Sequence, residues 1–234
     1  MDAQALAKTP RHTPFSLLIA FAILLVASRL CAMEMTGVDL VTTSGTLELQ
    51  RVSAAEAQLS DDGIRIDTKQ LTLSLSLSAD RKVSATAPEG IIIVGGEEKP
   101  SLDGTASAKA AYEQMKAYGS DFLANSGPGD LLLDGKGKST VATFGNDGQV
   151  SAEKLIWSDR IGKFILPGQF VQTGHIDADT HVNVTGAAVS IDQAFRNWTY
   201  YGDEKNPAVI VWERKAADPA APQTTTTAKD GKSK

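Results

Sequence analysis

Leu71, Leu73, Leu75 and Leu77 alternate with Thr72, Ser74, Ser76 and Ser78, eight residues in strict register. A period of two puts the leucines on one face of a strand and the hydroxyls on the other. Such a strand provides one apolar wall, and the chain around it has to provide the surface that faces that wall.

The rest of the body is written in the same style. Residues 52–59 and 64–67 flank Asp61-Asp62-Gly63, a hairpin turn in which glycine takes the positive φ that the turn needs. Residues 84–87 and 91–94 continue the pattern around Pro88-Glu89-Gly90. Further strands are predicted over 140–144, 150–157, 164–165, 170–172, 182–184, 187–191, 198–201 and 208–212, with turns at Asn146-Asp147-Gly148, 159–162 and Pro167-Gly168. Nineteen of the twenty glycines fall between Gly37 and Gly202, where short strands need turns. The phrase Val52-Ser53-Ala54-Ala55-Glu56-Ala57, followed by Ser60-Asp61-Asp62-Gly63, has an echo. It is Val150-Ser151-Ala152-Glu153-Lys154-Leu155, followed by Ser158-Asp159-Arg160-Ile161-Gly162, and it suggests two layers of one architecture.

One segment departs from the style. Residues 106–118 are rich in helix formers, carry Tyr112, Met115 and Tyr118 at three-residue spacing, and meet Gly119 as a C-cap. They predict a short helix laid across one end of the sheet. It sits within an inserted segment, 96–137, whose flanks 95–104 and 125–137 are polar enough to let it move.

At the N-terminus, residues 15–28 are continuously apolar, and counting on through Arg29 to Met33 brings the segment to the short end of a bilayer span. Arg29 suits the membrane interface, with its stem along the apolar layer and its guanidinium in water. Lys8 and Arg11 before the segment, with Val26-Ala27-Ser28 near its end, suit a cleaved signal peptide equally. In both cases the body, 34–214, leaves the cytoplasm. The first gives a single-pass protein with 1–14 as a cytoplasmic arm and 15–33 as anchor, and the second a soluble exported domain. The tail, 215–234, has four consecutive threonines and no periodicity, and is predicted to be disordered.

The chemistry-bearing residues are sparse. Cys31 is the one cysteine, so no disulfide or thiolate cluster forms within the chain. The formal charge is −5 and the two ends are net basic, so the body is more acidic still and offers no nucleic-acid surface. His175 and His181 flank Asp177 and Asp179, a spacing in which a metal or acid–base site can be imagined. Alternation instead sets His175, Asp177 and Asp179 outward as solvated residues, and no metal site is assigned. Gly135-Lys136-Gly137-Lys138-Ser139-Thr140 echoes a phosphate loop but has Asp130 where the leading glycine belongs. No nucleophile elbow is present. The residues therefore imply neither an enzyme nor a cofactor.

The succession 52–59, Asp61-Asp62-Gly63, Leu71 to Leu77, Lys82-Val83-Ser84-Ala85 and Glu89-Gly90-Ile91-Ile92 resembles the periplasmic lipopolysaccharide-export proteins of the LptC and LptA/OstA type. So do 150–157, 162–164, Pro167-Gly168-Gln169-Phe170-Val171 and 184–189. The resemblance implies an all-β domain: an open, twisted β-jellyroll or two-sheet sandwich, preceded by one N-terminal transmembrane helix and here carrying an inserted short helix. It implies lipopolysaccharide transport in cell-envelope biogenesis, with lipid held in an apolar groove between the sheets. The implied partners are inner-membrane ABC transporter subunits and a periplasmic bridge protein, joined by edge-strand pairing.

An anchored form corresponds to the LptC-like role at the inner membrane, and a cleaved form to the soluble periplasmic bridge. Candidates to line the groove are Leu71, Leu73, Leu75, Leu77, Ile92, Ile156 and Phe170, residue types that ordinary core packing uses as well. The competing class is an envelope scaffold with a filled interior and no lipid.

Overall fold

A computed structural model describes residues 33–44, 47–78, 81–97, 107–145, 148–177, 180–192 and 197–214. The apolar segment with Arg29 and the tail lie outside the described residues. Among the described residues no helix is long and apolar enough to cross a membrane.

The body is all-β, as its alternation predicts, and antiparallel throughout. It opens with four long strands, β1 (Glu34–Ser44), β2 (Leu47–Leu59), β3 (Arg65–Ser78) and β4 (Arg81–Ile93), each paired with the next. Two helices follow, α1 (Ala108–Ser120) and α2 (Phe122–Asn125). Then come shorter strands: β5 (Asp130–Asp134), β6 (Thr140–Phe144), β7 (Gln149–Ala152), β8 (Lys154–Ser158) and β9 (Lys163–Leu166). The last are β10 (Phe170–Asp177), β11 (Thr180–Gly186), β12 (Ala188–Asp192), β13 (Trp198–Tyr201) and β14 (Val209–Arg214).

The sheet forks at β4, whose residues 89–92 pair with β5 while residues 83–86 pair with β6. One wing continues β5-β8-β9-β12-β13 and the other β6-β7-β10-β11-β14. The chain nonetheless runs as a single meander. Each pass crosses from one wing to the other, breaking at 135–139, at Glu153, at 167–169, at Ala187 and at 202–208.

In the four long strands the same crossing is made without a break, and burial shows where. The inward residues of β2 are Val52 and Ala54 before Ala55-Glu56, but Ala57 and Leu59 after it. In β3 they are Ile66 and Thr68, then Leu71, Leu73 and Leu75. In β4 they are Val83, Ala85 and Ala87, then Gly90 and Ile92. The phase of the alternation slips by one in every strand along a common line. On that line Gly37 and Gln70 have φ of 64° and 52°. A residue in that region turns the strand so that two successive side chains face out, and the sheet bends there instead of staying flat. The sheet therefore curls into a half-barrel.

Pro88 lies on the same line, so residues 84–94 do not form two strands around a turn as the sequence suggests. All but Val94 belong to one strand, β4. The amide that proline lacks falls between the stretch paired with β6 and the stretch paired with β5, where it interrupts neither ladder. Conversely, the strand predicted over 150–157 is two, because Glu153 carries the chain from one wing to the other.

The inner faces of both wings and of β1–β4 close on one core that includes Leu71, Leu73, Phe144, Trp157 and Phe164. Each such side chain contributes about 1.5–3 kcal/mol by leaving water. A second core lies on the outside of the β5 wing, where Met115, Tyr118 and Phe122 cover Ile93, Leu132, Ile156, Ile165 and Ala188. The predicted helical face is the one that docks, and it explains why β5, β8 and β12 are buried on both sides.

The helix itself differs from expectation at its end. Ser107 caps its start, accepting from the Ala110 amide, and Asp121 rather than Gly119 caps its finish. Gly119 serves closeness instead, since a β-carbon on it would stand 2.3 Å from the Pro167 ring. The expected inserted segment 96–137 also ends earlier than the sequence suggests. From Asp130 it is β5, an interior strand of the sheet, hidden from the pattern reading because Leu131, Leu132 and Leu133 are all buried and show no alternation.

Candidate functional site: the trough between the wings

The folded meander brings the inner faces of the two wings together above the bend, and the apolar interior between them, a trough with the bend as its floor, is filled by their side chains. Leu71, Leu73 and Leu75 lie on it with 0%, 0% and 3% of their surface exposed, and Ile92 and Phe170 join them at 6% and 3%. These five predicted wall residues share one interior. The side chain of Leu77 lies outside the described residues. Ile156 is brought elsewhere: it points away from the trough into the core under α1, because its neighbours Leu155 and Trp157 take the inward positions of β8.

Aromatic residues that sequence patterning did not single out close the trough. Phe144 on β6 meets Phe164 on β9 edge-on at 5.6 Å between ring centroids, and meets Trp198 on β13 at 5.1 Å. Phe170 on β10 stacks with Tyr200 on β13 at 6.0 Å. The Tyr200 hydroxyl donates to Gln172 Oε1 at 2.8 Å across the same gap, so a polar contact between the walls has a partner on each side. Burial raises the Tyr200 phenol above its ordinary value. Their alternation on β13 was visible in Trp198-Thr199-Tyr200, but which strand they would face was not.

The lips are different. Ile210 and Trp212 on β14 pair with Val184 and Val182 and so share their inward face, yet they are 51% and 68% exposed. On the opposite edge Met33, Met35, Val38 and Leu40 of β1 and the residue before it are only partly buried. The trough is thus packed at its centre and apolar but accessible at both margins. Among the described residues its margins are also edge strands: β1 pairs only with β2, β14 only with β11 and β13 only with β12.

A polar knot fastens α1 to the outside of the β5 wing. Fully buried Asp130 accepts from the Tyr118 hydroxyl, the Ser158 hydroxyl, the Gly127 amide at 2.8 Å and Arg160 Nη2 at 3.2 Å. Burial, together with the bond to Asp130, holds the Tyr118 phenol far above its ordinary value. Asp159 beside it is raised by burial and by the Asp130 charge. These donors satisfy a carboxylate that would otherwise be costly to bury, which makes the knot a structural fastening. It ties the helix down across the sheet, although the polar flanks by themselves would have let it move.

The echo of a phosphate loop, Gly135-Lys136-Gly137-Lys138, is the turn between β5 and β6. Lys136 Nζ contacts Glu89 at 3.1 Å and Asp134 at 3.6 Å, so the turn presents paired charge rather than an anion cradle. His175 is exposed on the outer face of the β6 wing, as alternation predicts, and His181, also exposed, is its direct cross-strand partner with ring centroids 4.1 Å apart. With Thr143, Gln149, Thr173 and Glu213 they border a depression of about 640 Å3. Among the described residues no three His, Cys, Asp or Glu side chains already converge on one metal position.

No family model matches the chain, and no curated protein matches it.

Proposed function

We propose that this protein is a non-enzymatic carrier that holds the acyl chains of an amphiphile, lipopolysaccharide, in the trough between its wings. The supporting observation is a continuous apolar inner face on a sheet that is folded but left unclosed, with exposed Ile210 and Trp212 at one lip. A sheet of this kind gains a guest by spreading its wings, exchanging contacts between apolar side chains for contacts with acyl chains at little net cost in apolar exposure.

On this proposal the N-terminal segment holds the body at the inner membrane on its periplasmic side, or is removed to leave a soluble periplasmic form. Lipid arrives from inner-membrane ABC transporter subunits and leaves to a bridge protein. Neighbours join through the unpaired edges of β1 and β14, whose main-chain groups accept a further strand whatever its sequence.

A second reading follows from the packing at the trough's centre. Side chains that are 0–6% exposed already fill one another's space, as in an envelope scaffold that carries no lipid. Native mass spectrometry of the full chain in detergent, challenged with lipopolysaccharide, separates the two. A carrier shows a bound lipid mass that falls in Ile210→Asp and Trp212→Asp variants with unchanged melting. A folded chain that stays ligand-free at saturating lipopolysaccharide rejects carriage and leaves the scaffold.

A further inference from the structure

We propose that His175, His181 and Glu213 form a binding site for a divalent transition-metal ion, of the zinc class, on the outer face of the second wing. His175 on β10 is the direct partner of His181 on β11, and His181 in turn is the direct partner of Glu213 on β14. Directly opposed residues on adjacent strands present their side chains to the same face, so two imidazoles and a carboxylate stand in one row across three strands. All three are exposed and border the same depression, where an ion can enter with its water.

The histidine pair is the nucleus of the site. Rings 4.1 Å apart and inclined at 53° bring imidazoles from two strands side by side, within the span that one ion bridges by ring rotation at the roughly 2.0–2.1 Å of a zinc–imidazole bond. Strand pairing fixes both backbones before the ion arrives, so little conformational freedom is lost on binding. Imidazole donors suit zinc, copper and nickel and discriminate against calcium and magnesium, which take oxygen ligands.

Glu213 completes the row by side-chain rotation, since the three donors do not already meet at one point. Water fills the remaining position. The consequence is mechanical: an ion bridging the row ties β14, the strand that carries the Ile210 and Trp212 lip, to β10 and β11. This inference rests on the register and not on the carrier function.

The test is titration of the full untagged chain in detergent micelles with zinc chloride after chelator treatment, read by calorimetry and by melting temperature. One ion per chain is expected, with a rise in melting temperature that chelator reverses. Loss of a ligand costs at least the roughly 10–100-fold in affinity that loss of an outer-shell partner costs, so His175→Ala and His181→Ala should each weaken binding by that factor or more. Glu213→Gln should weaken it less, and His12→Ala should leave it unchanged. Exposed positions make these variants safe for folding, and circular dichroism verifies it. Absence of saturable binding below millimolar zinc overturns the proposal, and so does a His175→Ala/His181→Ala double variant that binds as tightly as the parent.

Discussion

Trp198 meets Phe144 edge-on across the trough, with ring centroids 5.1 Å apart and planes at 65°. The two residues belong to opposite wings, so their contact joins the walls that the meander only places near each other. Phe144 is 1% exposed, and its removal leaves a void that both walls line. Phe144→Ala is expected to cost about 3–5 kcal/mol in urea unfolding, the range for deleting a buried aromatic ring. On the carrier proposal the same variant, if folded, takes up lipid faster, because less contact must be broken to part the wings.

The lip makes the opposite prediction. Ile210 and Trp212 are more than half exposed, so Ile210→Lys and Trp212→Lys should change stability by no more than about 0.5 kcal/mol. They should nonetheless reduce lipid capture and pairing at the β14 edge, measured by flotation with lipid and by analytical ultracentrifugation. Equal capture by parent and variants would remove this lip from the function.

Tyr118→Phe deprives buried Asp130 of one of its donors. A loss of about 1–3 kcal/mol is expected at neutral pH from a buried acceptor left short. The phenol's value is raised in the fold, so its stabilising contribution is complete below about pH 10 and is lost as the pH rises beyond that. The parent should therefore lose stability steeply in alkali, and Tyr118→Phe should lose less over the same interval. Melting curves with tyrosinate absorbance check both.

Asp159 titrates in the same sense but on the acid side of neutrality. Burial and the Asp130 charge raise its value, so its protonated form is the one that favours folding. That contribution is present in acid, below the ordinary carboxyl value of about 4, and is lost as the pH rises through the raised value. At neutral pH the ionised side chain works against the fold. Asp159→Asn should melt higher than the parent at neutral pH, and the difference should shrink as the pH falls.

Gly119 tests the docking of α1. Alanine in a helix is ordinarily better than glycine by about 1 kcal/mol. Here its β-carbon would stand 2.3 Å from the Pro167 ring, and relief of such overpacking costs about 1–3 kcal/mol. Gly119→Ala should therefore be net destabilising in denaturant titration, whereas Ala117→Gly, at an exposed helical position, should cost only the propensity term.

The echo between 52–63 and 150–162 gains its meaning from the fold. Val52 and Ala54 precede the bend and Ala57 and Leu59 follow it. Val150 and Ala152 precede Glu153, and Leu155 and Trp157 follow. The repeated phrase, two inward residues, an outward pair, then two inward residues of opposite phase, is the mark of a strand crossing the bend. It was legible as a repeat, but a phase slip in one strand looks like the end of that strand until its neighbours show the same slip at the same level. β5 escaped for the converse reason, since three buried leucines in a row carry no period at all.

Local chemistry in the sequence by itself determined the all-β body, the turn at Asp61-Asp62-Gly63, the inward face of Leu71, Leu73 and Leu75, and the helix with Met115 and Tyr118 on its buried side. Those features follow from period and from backbone preference within a few residues. Only the tertiary structure decided that the strands bend along one line and that Ile156 faces away from the trough. It also decided that Phe144 and Trp198 close the trough, and that His175, His181 and Glu213 stand in one row. Each of these depends on which strand lies beside which, and that pairing is settled by packing across the whole sheet rather than by any residue's neighbours in the chain.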